Sequence, residues 1–352
     1  LSERNLYLID QFIMQGKGAT FFVDPFSEYE VINQVSNQSN ANIPKSDLNR
    51  LFKQWGFEVE AGMVVGDIIN GRKVSLGSAN NEKIVTYILW LALQRELLSK
   101  EDIVTENLDY VFFKSAGSIK NINIDKKNEF IPLVKTSSNS MLIERFKIQF
   151  RAEPERLLNE FKSDNKKFVL GARIKGSLKS AFSLDDIEQL EIDNNNHIAN
   201  SKISNIIVYS DTDLLTDPTW LTKQDILGTS NLIPTADNGR LVMNSIESMS
   251  GSQNLIGLRS RGIYNRPFLV VENLQKDAEL LLKEKEDSLK KELEDTEKKL
   301  KELTDGNEID QESLTIEQTQ TINNFNKKIL QIRKELREVQ RELGESIKKL
   351  EE

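Results

Sequence analysis

The sequence of 352 residues contains no cysteine and a single histidine. Without thiols, the chain forms no disulfide, offers no thiolate to a metal ion and has no cysteine nucleophile. The one histidine, His197, stands in the asparagine-rich segment NNNH, and this context predicts a solvated loop residue. Its isolation argues against a Ser-His-Asp catalytic triad and against a histidine-rich zinc site.

Excess positive charge and long apolar runs are also missing. Because 47 basic residues face 55 acidic ones, for a net charge of −8, we expect no nucleic-acid partner. The longest apolar run, IVTYILWLAL at 84–93, is far shorter than the roughly 18–20 residues of a membrane span. The sequence starts without methionine and inside a helical pattern, so we expect a piece of a longer protein.

Residues 1–270 predict an α/β domain in which short apolar strands mix with helices. The run at 84–93 is rich in Ile, Val, Tyr and Trp, which favours a buried strand over a helix. KISNIIVYS, at 202–210, is the strongest strand signal, and SDLNRLFKQWG indicates a helix with Ser46 at its N-cap. This mixture predicts a largely parallel, Rossmann-like sheet flanked by helices, with a polar excursion around 183–204.

The composition changes over residues 271–352, which contain two apolar seams at helical spacing. A polar break with the helix-breaking triplet Asp305-Gly306-Asn307 separates the seams. The motif TIEQ, beginning at Thr315, is a capping box for the second helix. These features predict an antiparallel coiled-coil hairpin rather than one long helix that pairs between molecules.

Three aspartates follow predicted strands and are the main candidates for chemistry. In IIVYSDTDLLTDPTW, Asp211 and Asp213 come directly after an apolar strand, where α/β proteins place Mg²⁺ sites. The pattern superficially resembles that of haloacid-dehalogenase phosphatases, but Leu215 stands where that family has threonine or valine, and a threonine follows only at Thr216. The alternative is turn and cap chemistry, in which the carboxylates accept backbone N–H groups.

Asp24, at the end of FFVDP, also follows a strand and could face Asp211 at the edge of the sheet. A carboxylate cluster there could bind a cation or a sugar; the alternative is an Asp-Pro turn. The segment Gly16-Lys17-Gly18 follows a helix and precedes a strand, the reverse of a phosphate-binding loop, so it predicts a helix end.

Arg259, Arg261 and Arg266 lie between the two predicted parts of the chain. They could hold an anion or contact an acidic partner, or they could be ordinary linker charges that pair with the domain.

The ordered series of segments resembles one family. It comprises residues 1–28, QWGFEVEAGMVVGD, ARIKGSLKSAF, IIVYSDTDLL, residues 239–268 and the coiled-coil tail. The family is the gliding-motility-type auxiliary component of uncharacterised bacterial ABC transport systems. The resemblance implies a periplasmic domain, held between two membrane helices and working with an ATPase and a permease. It also implies an amidotransferase-like α/β fold without the catalytic cysteine.

We therefore expect a non-enzymatic accessory domain that binds a substrate or a partner protein, without a cofactor. Asp24, Asp211 and Asp213 are the predicted ligand contacts. The alternative is a divalent-metal-dependent hydrolase that uses Asp211 and Asp213. A third possibility is a purely architectural protein whose hairpin mediates oligomers. The transported substrate, the direction of transport and the oligomeric state stay open.

Overall fold

The computed structural model describes residues 1–36, 46–76, 83–122, 128–149, 153–226, 229–251, 282, 285–299 and 316–348. Contacts between Cα atoms divide the chain into two compact units, Leu1–Gly262 and Ile263–Glu352.

The first unit mixes helices with short strands. Its helices are α1 (Glu3–Met14), α2 (Glu28–Ser36), α3 (Asn49–Gln54), α4 (Pro154–Asn159), α5 (Leu184–Gln189), α6 (Asp217–Trp220) and α7 (Asn238–Met249). Its strands are β1 (Ala19–Phe22), β2 (Phe57–Val59), β3 (Met63–Asp67), β4 (Gly71–Leu76), β5 (Lys83–Gln94), β6 (Tyr110–Lys114), β7 (Ile119–Asn121), β8 (Asn128–Lys135), β9 (Ser140–Glu144), β10 (Val169–Gly176), β11 (Ser204–Tyr209), β12 (Leu221–Ile226) and β13 (Thr229–Pro234).

The central sheet has the strand order β1-β11-β10-β8 and is mixed. Strand β1 runs parallel to β11, whereas β10 is antiparallel to both β11 and β8. Other pairings, in β4-β5-β6, β3-β9, β2-β7 and β12-β13, are antiparallel. The predicted α/β class is confirmed, but the prediction of a largely parallel sheet is wrong.

The error has a physical cause in β11, whose two faces are both buried. Ile206 and Val208 pack into one core with α1 and α3, while Ile207 and Tyr209 pack into another with α7. This alternation is the period of two expected of a strand. A strand buried on both faces has a continuous apolar sequence whichever way its neighbours run, so the sequence does not reveal strand direction.

Several local predictions can be compared with the structure. The run at 84–93 lies within β5, and KISNIIVYS contains β11, so both predicted strands are confirmed. Helix α1 ends at Met14, and Gly16 has a φ of 81°, which confirms the predicted helix end. His197 lies in a loop, as predicted, but it is half-buried rather than fully solvated, and its ring stacks on Tyr7 with centroids 6.0 Å apart.

The predicted N-cap at Ser46 is wrong. Helix α3 begins only at Asn49, after Leu48, which makes no side-chain cap. The Ser46 hydroxyl instead accepts the N–H of Asp24 at 2.7 Å, and the Ser46 N–H donates to the Asp24 carbonyl at 2.9 Å. Ser46 thus pairs with a residue distant in the sequence instead of capping α3. The spacing of residues along the sequence cannot reveal such a pairing.

The second unit contains a pair of helices, α8 over residues 285–299 and α9 over Ile316–Lys348. Glu286 accepts from the Gln340 amide at 3.0 Å, and Glu297 pairs with Arg333 at 2.8 Å. Glu286, near the start of α8, contacts Gln340, whereas Glu292 and Glu297, farther along α8, pair with Lys328 and Arg333, which come earlier in α9, so the helices run antiparallel. The predicted helical pair is confirmed, while the break at 305–307 and the capping box at Thr315 lie outside the described residues.

Within the described part of the chain, no helix combines the length and the apolar character that a membrane crossing demands.

Candidate functional site

The carboxyl ends of β1 and β11 place two of the predicted aspartates side by side. The two strands are parallel, and Phe22 is the register partner of Tyr209. Asp24 and Asp211 each lie two residues beyond these positions, so they emerge at the same edge of the sheet. Asp213 follows on a short 3₁₀ turn, Asp213–Leu215.

These three aspartates form what we call the carboxylate cluster: Asp24, Asp211 and Asp213. One oxygen from each lies within 4.8 Å of the others. The residues are 1%, 0% and 1% exposed, so the cluster is closed to solvent in this conformation. The structure therefore brings together the residues predicted as ligand contacts, but places them inside the domain.

Asp211 fastens the end of β11 to strand β6. Its Oδ2 accepts the backbone N–H of Lys114 at 2.7 Å. Its Oδ1 accepts the N–H groups of Asp213 at 2.7 Å and Leu214 at 3.2 Å, which folds the chain into the 3₁₀ turn. This is the Asx-turn chemistry expected of an aspartate that leaves a strand.

Asp24 connects β1 to the β11 loop. Its Oδ1 accepts the N–H of Phe26 at 2.8 Å, closing the predicted Asp-Pro turn. Its Oδ2 accepts both the N–H and the hydroxyl of Thr212, at 2.9 and 2.8 Å. The two loops at this sheet edge are thus held together through one buried side chain.

Asp213 lies at the N-terminus of helix α2. Its Oδ2 accepts the N–H of Glu28 at 2.7 Å, and its Oδ1 accepts the Ser27 hydroxyl at 2.8 Å and the N–H of Tyr29 at 3.3 Å. A carboxylate at this end satisfies amides that lack partners within the helix and complements the helix dipole. Asp213 therefore caps α2 from a distant part of the chain.

Burial raises the pKa of every carboxyl group in the cluster. For Asp24 desolvation raises the pKa to about 7, with a further contribution from the negative charge of Asp213, against hydrogen bonds from Thr212 and Phe26 that lower it. Desolvation also raises the pKa of Asp211 well above its ordinary range, and that of Asp213. The cluster therefore favours bound protons, or another source of positive charge, over three free negative charges.

Two further ionisable residues flank the cluster, and sequence reasoning missed both. Glu28 accepts hydrogen bonds from the Trp90 indole at 2.9 Å and from the Ser115 hydroxyl, and burial raises its pKa. The ammonium group of Lys114 lies 4.8 Å from the centre of the Trp90 ring, and burial lowers its pKa. The sequence marks Lys114 only weakly, as a lysine that ends an apolar strand, and no sequence pattern marks Glu28.

The geometry of the cluster allows two roles, one in holding the fold together and one in binding a cation. Every carboxylate oxygen of the cluster accepts at least one hydrogen bond, so the cluster joins β1, β6, β11 and α2. The oxygens retain lone pairs, and their convergence within 4.8 Å is a spacing that a divalent cation tolerates.

The predicted anion or partner contacts Arg259, Arg261 and Arg266 lie outside the described residues.

Comparison with known proteins gives one match. A family model described as an ABC-type uncharacterized transport system matches residues 1–245, which is most of the first unit. No curated protein and no solved structure matches the chain. The description of the matching family does not mention gliding motility, so that part of the expected resemblance stays a prediction.

Proposed function

Because the chain belongs to the family of auxiliary components of ABC-type uncharacterized transport systems, we propose that it serves an ABC transporter without catalysing a reaction itself. The single observation that carries this proposal is the match over residues 1–245. In this role the first unit binds a substrate or a partner protein outside the cytoplasm. Its direct partners are the permease and ATPase subunits of the transporter.

The helical pair acts as a stalk in this proposal. Helix α9 has 33 residues, which corresponds to about 50 Å at the helical rise. Leu289, Ile332 and Val339 are buried between the helices, so the pair has its own small core. In this proposal, membrane anchors hold the stalk at the surface of the inner membrane.

The carboxylate cluster supports the binding role from inside the domain. It fixes the loops after β1 and β11 and the start of α2, and a rigid frame of this kind preorganises a binding surface. Direct ligand contact by Asp24, Asp211 and Asp213, as the sequence predicts, would require these loops to separate, because all three carboxylates are buried.

The experiment that tests the transport role measures the ATPase rate of the reconstituted transporter. The ATPase and permease encoded beside this protein are placed in proteoliposomes with and without the full-length protein. We expect the protein to change the ATPase rate and to hydrolyse no ATP alone. An unchanged rate at saturating protein would contradict a role as an auxiliary component.

A divalent-metal hydrolase is the second candidate, and the convergence of the three carboxylates favours it. It predicts binding of Mg²⁺ or Ca²⁺ and hydrolysis of phosphoesters, both lost in Asp211→Asn. Calorimetric titration with each ion, followed by an assay with p-nitrophenyl phosphate, tests both points. A folded protein that binds neither ion removes this candidate.

A further inference from the structure

Helix α1 carries large apolar side chains on both of its faces. Leu6, Ile13 and Met14 point inward and pack into the core of the first unit. Leu8 and Phe12 lie one turn apart on the opposite face, where they are 61% and 43% exposed. Single exposed apolar residues are ordinary on a protein surface, but neighbouring ones on the outer face of a helix indicate an interaction site.

A third exposed apolar side chain extends this surface. Ile203 is 66% exposed. The hydroxyl of the next residue, Ser204, donates to the carbonyl of Ile13 at 3.1 Å, which places this segment beside the last turn of α1. We call the surface formed by Leu8, Phe12 and Ile203 the α1 face.

Three cations surround the α1 face. Arg4 is exposed and lies one helical turn before Leu8. The ammonium group of Lys17 lies 4.9 Å from the centre of the Phe12 ring. Lys202, which is also exposed, directly precedes the third apolar residue. Across the residues that the structure describes, no carboxylate lies within 4.0 Å of any of these three charged groups.

The two carboxylates of α1 do not offset these charges. Glu3 pairs with Arg50. Asp10 is fully buried and accepts hydrogen bonds from the Ser180 hydroxyl at 2.7 Å and the Ala181 N–H at 2.9 Å. Although the chain has a net charge of −8, the α1 face is therefore flanked by positive charges without partners. Charge complementarity favours an anionic partner.

The chemistry of the α1 face suits lipid better than an acidic protein. Two of its three cations are lysines, a residue type that is depleted at protein–protein interfaces. Helices that lie at a membrane surface combine Leu and Phe with Lys and Arg, whose long stems let the charged groups reach the headgroups. We therefore propose that the α1 face docks on an anionic lipid surface, with its apolar side chains at the boundary between headgroups and acyl chains.

This inference goes beyond the proposed function, which assigns contact with the membrane to anchors and not to the first unit. Docking by the α1 face is a property of the chain alone. It is measured with vesicles and without the ATPase and permease, so its outcome is independent of the outcome for the transport role.

The test is flotation of the chain with vesicles of phosphatidylcholine, either pure or with about one third phosphatidylglycerol. We expect binding to the anionic vesicles, and binding at least about tenfold weaker to the neutral ones, because each cation near an anionic surface contributes about fivefold in affinity. Added salt should weaken the binding, because it screens the charges. Absence of binding to anionic vesicles, or equal binding to both compositions, would overturn the inference.

Matched variants locate the contact. The double variant Leu8→Ser with Phe12→Ser is expected to bind at least about tenfold more weakly, because it removes two apolar side chains. Its control is Phe146→Ser, since Phe146 is 60% exposed on a separate 3₁₀ turn and should not affect binding. Lys17→Gln should weaken binding about fivefold, and Lys100→Gln, at another exposed lysine, should not. Unchanged binding of the double variant would refute the assignment to the α1 face.

The absence of cysteine allows one fluorescent probe to be attached at a chosen site. Leu8→Cys and Phe146→Cys, each labelled with the environment-sensitive dye NBD, are mixed with the anionic vesicles. We expect a blue shift and a rise in emission for the probe at position 8 only. A response at position 146 without one at position 8 would place the lipid contact elsewhere and contradict the proposal.

The alternative occupant of the α1 face is a second copy of the chain. Light scattering without lipid compares the mass of the parent with that of the Leu8→Ser, Phe12→Ser variant. We expect the two masses to be equal. A parent dimer that the variant dissociates would assign the α1 face to self-association and overturn the assignment to lipid.

Discussion

Raising the pH is expected to destabilise the first unit through the carboxylate cluster, and Asp24→Asn should remove much of this effect. The pKa of Asp24 is about 7 in the folded chain, against an ordinary value of 3.8. Between these values the folded state binds more protons than the unfolded state. The stabilisation is therefore complete below pH 3.8 and is lost as the pH rises through about 7.

The magnitude follows from the shift. At about 1.4 kcal/mol per pKa unit, the difference between 3.8 and about 7 corresponds to about 4 kcal/mol. This is an upper bound, because Asp211 and Asp213 compete for the same protons and their pKa values are also raised. At alkaline pH Lys114 has the opposite effect on stability. Because burial lowers its pKa, its contribution to the free energy of unfolding increases as the pH rises. Asparagine cannot titrate, so the variant lacks the Asp24 contribution.

Urea unfolding followed by tryptophan fluorescence measures the effect. The three tryptophans are Trp55, Trp90 and Trp220, and all belong to the first unit, so the helical pair does not contribute. From about pH 4 to about pH 8, the free energy of unfolding of the parent should fall, relative to that of Asp24→Asn, by up to ~4 kcal/mol. The Asp24→Asn variant also loses a hydrogen bond, but that cost is constant with pH.

The exposed control is Asp193→Asn, a carboxylate that accepts a backbone N–H at 3.0 Å, and its pH trend is subtracted. A parent-to-variant difference that stays flat across this range would refute the reasoning about burial.

Three further predictions concern the stability of the first unit and share the urea assay. Asp213→Ala should cost about 3 kcal/mol or more, because it orphans several donors at the start of α2, and hydrogen exchange there should accelerate; unchanged exchange would contradict the cap. Gly171→Ala should cost about 1–3 kcal/mol, because its Cβ would lie 2.7 Å from the buried Tyr209 ring, and a neutral result would mean that the ring yields. Arg173→Met should cost about 3–5 kcal/mol, because in the parent the Arg173 guanidinium lies 2.6 Å from Asp102, and the variant leaves this carboxylate buried without its partner; the double variant with Asp102→Leu should recover part of the loss.

The sequence allowed the local elements to be predicted better than their arrangement. Strands β5 and β11 follow from apolar and β-branched runs, and the end of α1 follows from Gly16. Strand direction did not follow, because a doubly buried strand has the same composition in either orientation. Ser46 shows a related limit, because its hydrogen-bond partner is the backbone of Asp24, which lies far away in the sequence, just beyond the end of β1.

The candidate site was predicted in its members but not in its environment. Strand ends indicated Asp24, Asp211 and Asp213, and the parallel pairing of β1 with β11 brings them together. Their burial depends on β6 and α2, which close over them through long-range hydrogen bonds. Glu28 and Lys114 could not be connected with the cluster before the fold was known, because no motif spacing links them to it.

The central claim, that this chain is an auxiliary component of an ABC transporter, is tested most directly by the composition of the complex it forms. The protein is affinity-purified in mild detergent from cells that co-express it with the ATPase and permease proposed as its partners, and the mass of the eluted complex is determined by native mass spectrometry. The account predicts one assembly that contains all three proteins in fixed ratio. A tagged protein that elutes alone, while the ATPase and permease form a stable complex without it, would contradict the account.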